Sequence, residues 1–199
     1  MILPVVAYGT PILKKVGEEI DENYKDLDKL LENMFETMYE ASGVGLAAPQ
    51  INKSIRLFIV DASPFAEVEE GEEPDPMAEG LDGFKKVFIN PIIEEESGEE
   101  WPFAEGCLSI PKIREDVMRK PNIKISYYDE NWDFKEEEYS GYAARIIQHE
   151  YDHVEGVLFT DYLSPLKKRM LKKKLVNISK GDIEVPYRMK FPLQKGRKK

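Results

Sequence analysis

Both histidines of this 199-residue chain fall in one short string, Gln148-His149-Glu150-Tyr151-Asp152-His153. On a helix, positions i and i+4 stand one above the other on the same face, so His149 and His153 can grip one metal ion. Glu150 lies about 100° round the helix axis from His149, where it can address a water beside the ion without ligating it. Two imidazoles then hold the metal while the carboxylate moves protons, which is the chemistry of metal-assisted hydrolysis. Tyr142, Ile146, His149 and His153 follow at spacings of four, three and four, so an apolar floor runs into the ligand stripe. Read alone, Tyr142 and Ile146 are ordinary core packing.

A catalytic metal site commonly takes three protein ligands and keeps one position open. The single cysteine, Cys107 in Glu105-Gly106-Cys107-Leu108-Ser109-Ile110-Pro111, is the third candidate. A lone cysteine is most often a small buried hydrophobe. Beside a glycine and ahead of a strand-like run, in a chain that already offers two imidazoles, a thiolate ligand is the better reading. Nucleophilic attack by Cys107 with a histidine as base is the rival, but the histidine pair leaves neither imidazole free for that work. A third string, Gly43-Val44-Gly45-Leu46-Ala47-Ala48-Pro49-Gln50, adds two glycines and an uncharged side-chain amide. The glycines can let main chain approach a substrate closely or take positive φ, and the Gln50 NH₂ can steady a developing oxyanion. The same string reads equally well as a helix stop followed by a tight turn.

Elements must hold these groups in place. Asn23 to Ser42 carries Leu27, Leu30, Leu31, Met34, Phe35, Met38 and Tyr39 at spacings of three and four, which predicts an amphipathic helix closed by Gly43. Residues 55–60 and 87–93 are short β-branched runs that predict strands, and 122–129 with 134–139 predict another pair. A helix over 141–154 carries the histidines and stops at Gly156. A third starts at Ser164-Pro165, with Leu166, Met170, Leu175 and Ile178 at roughly helical spacing. The expected fold is α+β: antiparallel strands packed around a central metal-binding helix, flanked by N- and C-terminal helices. Residues 1–199 read as one catalytic domain, with an acidic insertion near 66–83 expected as a solvated loop and a basic C-terminal segment over 165–199.

The net charge of −10 conceals an asymmetry. Residues 165–199 carry 13 Lys and Arg against 2 Asp and Glu, whereas residues 1–164 carry 15 against 36. An acidic body with a basic tail suits an anionic partner; the plainer reading is a solvated surface helix. No apolar run approaches the ~20 residues of a membrane span, the start lacks the features of a targeting peptide, and one cysteine allows no internal disulfide. The cytoplasm is the expected compartment.

Taken together, GVGLAAPQ (43–50), EGCLS (105–109) and QHEYDH (148–153) resemble, in order and separation, the three signature motifs of the bacterial peptide deformylases. Tyr8-Gly9-Thr10-Pro11 and Gly156-Val157-Leu158-Phe159 are similar to the family as well, and the likeness covers roughly residues 1–175. The acidic insertion and the segment after Gly181, ending in Phe191-Pro192-Leu193, depart from the common motif core. The resemblance implies hydrolysis of the N-terminal formyl group of formyl-methionine on newly made polypeptides, releasing formate. It implies that Cys107, His149 and His153 hold Fe²⁺, with Ni²⁺, Co²⁺ or a less active Zn²⁺ as substitutes. Glu150 would be the acid/base, and Gln50 and the Leu108 N–H would hold the oxyanion. Val44, Tyr142 and Ile146 would line the methionine pocket with Glu105 nearby, and Gly45 and Arg114 would bind the peptide main chain. The ribosome near the exit tunnel is the partner expected for the basic segment, with no membrane contact. A zinc peptidase sharing the histidine motif, and a catalytically silent ribosome-binding factor, are the rivals.

Overall fold

The structure is a computed structural model that describes residues 1–67, 71, 73 and 75–193. Its centre follows from the alternation of one short strand, β3 (Leu57–Asp61). Successive side chains of a strand point to opposite faces. Phe58 and Val60 therefore enter one apolar cluster, and Leu57 and Ile59 enter another. Strands β2 (Gly45–Ala47), β4 (Lys85–Ser97), β7 (Asn122–Tyr128) and β8 (Phe134–Ser140) join β3 in a five-stranded antiparallel sheet of order β2-β3-β4-β7-β8. Helix α1 (Leu27–Glu40) covers the Leu57 and Ile59 face with Leu30, Leu31, Met34 and Met38. Helix α2 (Gly141–Val154) covers the other face with Ala143, Ala144, Ile147 and Val154. Mixed helices and antiparallel sheets make this an α+β fold, as the periodicities predict.

A hairpin, β5 (Trp101–Cys107) and β6 (Ile110–Arg119), stands apart from that sheet. The sequence reading found no strand pair here, because the exposed positions of 101–107 break its apolar pattern. Ile110, Ile113 and Val117 of the hairpin pack with Leu171, Leu175 and Ile178 of helix α3 (Pro165–Lys180). Strand β1 (Val5–Val6) pairs in parallel with β9 (Met189–Lys190), returning the C-terminal segment to the N-terminal one. No helix among the described residues is long and apolar enough to cross a membrane.

Several local expectations need correction. Helix α1 spans fewer residues than 23–42, and Ser42, at φ 53°, takes the left-handed position expected of Gly43. Gly43 needs no such φ; a Cβ there would stand 2.9 Å from Leu108 Cδ1, the far end of a flexible side chain. On α3 the buried stripe is Leu171, Leu175 and Ile178, while Leu166 and Met170 are exposed. Positions 171, 175 and 178 keep the i, i+4, i+7 spacing, and 166 with 170 start a neighbouring stripe that faces out. Ser164 does cap α3, its Oγ accepting from Lys167 N. The stretch near 66–83 is not wholly a solvated loop: Leu81 is buried, and Asp75 accepts from Met77 N and from Tyr142 Oη. Residues 68–70, 72 and 74 of that insertion, and 194–199 of the basic segment, lie outside the described residues.

Candidate active site

Helix α2 sets His149 and His153 one turn apart, with ring centroids 5.2 Å apart and planes nearly perpendicular. The end of β5 brings Cys107 to them, its Sγ 3.2 Å from His153 Nε2. One ligand atom from each of Cys107, His149 and His153 lies within 4.8 Å of the others. His153 Nδ1 and Glu150 Oε2 are buried there without a hydrogen-bond partner. A sulfur and two imidazole nitrogens form a donor set suited to a divalent transition metal. These residues fit a metal ion.

Behind the ligands sits a buried charge cluster. His149 Nδ1 donates to Glu105 Oε2 at 2.9 Å, which leaves its Nε2 to face Cys107 and His153. Glu105 also accepts from Arg119 Nε at 2.7 Å, Arg119 Nη2 at 3.0 Å and Arg145 Nη1 at 3.1 Å. Burial alone would raise its carboxyl, but His149 and Arg119 hold it well below the usual carboxylate range. Arg119 reaches on to Asp152 Oδ2 at 2.8 Å, poorly aligned for a hydrogen bond, and Asp152 Oδ1 accepts from Tyr162 Oη at 2.9 Å. Burial alone would lower His149, yet its bonds to Cys107 and Glu105 carry it well above the ordinary histidine value. Burial, and then His149 itself, push His153 the opposite way. Glu105 thus borders the cavity but spends both oxygens on protein groups, whereas the sequence reading set it beside the substrate.

Glu150 is 4% exposed, and burial pushes its carboxyl up to about 7, opposed by the charge on His149. A cation bound beside it would pull that value down again. Its place depends on Gly45. A Cβ at Gly45 would stand 2.3 Å from Glu150 Oε1 and 2.6 Å from Cδ. The glycine of β2 therefore makes room for the protein's own carboxylate, a reason the sequence reading did not see. Gln50 is buried, with Oε1 accepting from Ala47 N at 2.8 Å. That bond fixes the amide orientation, so Nε2 points to Cys107 Sγ and Ser109 Oγ, each at 3.4 Å.

A cavity of about 630 Å³ opens over Cys107, His149 and Glu150. Val44, Phe65, Phe103 and Ile146 form its apolar side; Leu108 lines it too, and Arg114 stands exposed on its border. Tyr142, expected in the lining, stands behind it: its ring packs on Phe65 at 5.1 Å and Phe103 at 5.6 Å. The hydroxyl bond to Asp75, 2.5 Å long, turns it away. Sequence reasoning missed Phe65, Phe103, Arg145 and Tyr187 in the lining, and Arg119 beneath it. Arg145 had a visible signal, since it lies between Tyr142 and Ile146 on a helix whose neighbouring positions are core, where an arginine needs a carboxylate. Phe65 and Tyr187 had none, because long connections bring them in.

A family model described as Polypeptide deformylase matches residues 2–169. The peptide deformylase of Christiangramia forsetii is 59% identical over 192 residues, covering 96% of this chain and 97% of that protein. That of Flavobacterium psychrophilum is 58% identical over 191 residues, covering 96% and 97%. Among solved structures, the peptide deformylase of Ehrlichia chaffeensis superimposes with a TM-score of 0.78 at 31% identity, over 92% of this chain and 99% of the other. The Legionella pneumophila enzyme gives 0.74 at 34% identity, over 92% and 98%.

Proposed function

The chain belongs to the polypeptide deformylase family, and we propose that its Cys107, His149 and His153 hold the metal while Glu150 carries the proton. The protein is a hydrolase that removes the N-formyl group from newly synthesised peptides. The observation that carries the assignment of residues is the meeting of a lone thiol and the only two imidazoles of the chain beside a buried carboxylate oxygen with no partner.

Cys107, His149 and His153 would hold a divalent cation, which when bound would supply Lewis acidity and lower the pKa of a water at the site towards neutrality. Glu150 accepts a proton from that water as its oxygen bonds to the formyl carbon. The Gln50 NH₂ and the Leu108 N–H donate to the oxygen on which negative charge develops. Glu150 then returns the proton to the amine nitrogen as the carbon–nitrogen bond breaks, leaving formate and a free N-terminus. Val44 and Ile146, with Phe65 and Phe103, receive the methionine side chain, and Tyr142 backs that wall. Gly45 and Arg114 engage the peptide main chain. Glu105 orients His149 rather than touching substrate.

Iron is the metal we assign, with nickel, cobalt and zinc as substitutes; thiolate and imidazole donors suit all four, and the family resemblance favours iron. We place the enzyme in the cytoplasm and dock it at the ribosomal exit tunnel through α3. Leu166 and Met170 are exposed there among Lys167, Lys168, Lys172, Lys173 and Lys174. Residues 1–199 work as one catalytic domain.

The test is anaerobic purification, metal quantification and turnover of a formyl-Met peptide, on wild type, Glu150→Gln and His149→Ala. Glu150→Gln keeps its metal and loses ~10²–10⁴-fold in kcat, the usual share of general acid–base catalysis. His149→Ala loses metal and activity together. A Glu150→Gln protein with full metal and near-normal deformylation overturns the assignment.

A further inference from the structure

Cys107 and Leu108 occupy one end of a very tight turn. Cys107 pairs with Ile110, so Leu108 and Ser109 alone connect β5 to β6. Two-residue hairpin loops favour left-handed residues, because ordinary turns splay the strands. Neither Leu108 nor Ser109 has positive φ, and the register slips between Gly106 and Cys107. The turn is instead gripped from outside at three points. Tyr8 N donates to Ser109 O at 2.8 Å, and Gln50 Nε2 reaches Ser109 Oγ at 3.4 Å. The third grip comes from the far end of the chain: Tyr187 Oη donates to Leu108 O at 2.8 Å.

The segment that delivers Tyr187 is well anchored. Gly181 closes α3 at φ 79°, and Ile183 packs against the core beneath the hairpin. Val185, Pro186 and Tyr187 then line the cavity, and Pro186 stiffens this stretch by fixing its own φ. Beyond it Val5 N donates to Arg188 O and Ala7 N to Lys190 O, each at 2.9 Å. The strap therefore crosses the site between two fixed ends. Burial, and then the nearby Cys107, raise the Tyr187 phenol, so its hydroxyl stays a donor.

We propose that Tyr187 is a positioning residue for deformylation: its hydroxyl holds the Leu108 peptide so that the neighbouring N–H meets the oxyanion, and its ring with Val185 and Pro186 forms a wall of the substrate cavity. This rests on the role given above to Leu108. The tether acts through the turn and touches no reacting atom, so its loss lowers the rate and spares the metal.

The experiment compares wild type, Tyr187→Phe and Tyr187→Ala as full-length, metal-loaded protein. Tyr187→Phe keeps its metal content, melting point and KM for a formyl-Met dipeptide, and loses about three- to tenfold in kcat, the worth of one ordinary hydrogen bond. In the zinc-loaded form, the ¹⁵N order parameter of the Leu108 amide falls from the rigid range of about 0.85 towards 0.6. Tyr187→Ala adds a several-fold rise in KM by removing the wall. Wild-type kcat in Tyr187→Phe overturns the proposal, and so does a rate loss that follows lost metal with the Leu108 amide still rigid. A Cys107→Ser protein that turns over normally sinks the metal assignment instead, while the Leu108 order parameter still reports the tether.

Discussion

Replacing Gly45 by alanine adds a single methyl group against the carboxylate to which we assign proton transfer. Built on the existing backbone, that carbon lies 2.3 Å from Glu150 Oε1, 2.6 Å from Cδ and 2.7 Å from Cγ. Ordinary contact begins near 3.5 Å, so the two groups must separate by about 1 Å. The backbone of Gly45 has little room to yield, since β2 is buried and its Gly45 pairs with Val60 in β3. Helix α2 is equally fixed, with Ala144, Ile147 and Val154 fully buried beneath it. The Glu150 side chain must therefore swing. A displacement of about 1 Å in a reacting group costs ~10²-fold in rate, and overpacking of this kind costs ~1–3 kcal/mol of stability. Cys107, His149 and His153 are not touched, so metal content stays at the wild-type level. Gly43→Ala is the control, since its methyl crowds only the end of the flexible Leu108 side chain at 2.9 Å and lies 3.4 Å from Met38 Cγ and O; it should cost far less activity. The assay is kcat and KM on a formyl-Met peptide, with metal per chain and thermal unfolding measured on the same samples. A Gly45→Ala protein that is fully loaded and turns over within twofold of wild type refutes the reasoning.

Two further outcomes test parts of the molecule away from that contact. Charge reversal of Lys172, Lys173 and Lys174 to Glu, all exposed on α3, should weaken salt-sensitive binding to ribosomes and leave turnover of a small formyl peptide unchanged; unaltered ribosome affinity removes the basic segment from that role. On the sheet, burial raises the Glu137 carboxyl, but bonds from Tyr127, Tyr139 and Lys86 outweigh it and lower the pKa from 4.5 to about 2. The stability this contributes is present above pH 4.5 and is lost as pH falls towards 2. At ~1.4 kcal/mol per pH unit, and roughly halved because the side chain is a third exposed, Glu137→Gln should be about 1–2 kcal/mol less stable at pH 6. In urea melts that gap should shrink by pH 3; a gap that does not change with pH removes Glu137 from the acid response.

What could be read in advance followed from how local each pattern is. The α2 histidines, their carboxylate and the apolar stripe share four helical turns, so one periodicity places them all. The strands β3, β4, β7 and β8 came through because their apolar or alternating runs are longer than the irregularities within them; the break at Asn90, where φ is 49° and the register shifts, did not hide β4. The β5–β6 hairpin was hidden because Trp101 to Cys107 alternates around groups that face a cavity and a charge cluster, not a uniform core. On α3 Leu175 and Ile178 of the expected stripe are buried, but Leu166 and Met170 are exposed and Leu171 takes the inward place. Two adjacent apolar stripes fit one helix, and only packing against the hairpin chooses Leu171, Leu175 and Ile178.

Glu105 and Gly45 mark where a reading of residue types runs out. A carboxylate beside a cysteine in a cavity reads naturally as a substrate contact, and a glycine just after the first helix reads as room for a substrate. The partners that change both readings are distant in sequence: Arg119 and Arg145 for Glu105, 14 and 40 residues away, and Glu150 for Gly45. A buried charge has to be compensated, so Arg145 on a core-facing position of α2 already demanded an acid, and Glu105 is the one the hairpin delivers. The same demand explains why we assign the proton transfer to Glu150 and not to Glu105, the carboxylate bonded to His149. Glu105 is held ionised by two guanidinium groups and an imidazole and has no proton to trade, whereas Glu150 lies buried with one oxygen free of partners. Burial and pairing set the two glutamates of one site in opposite environments, which is the basis on which we assign one as support and the other as proton carrier.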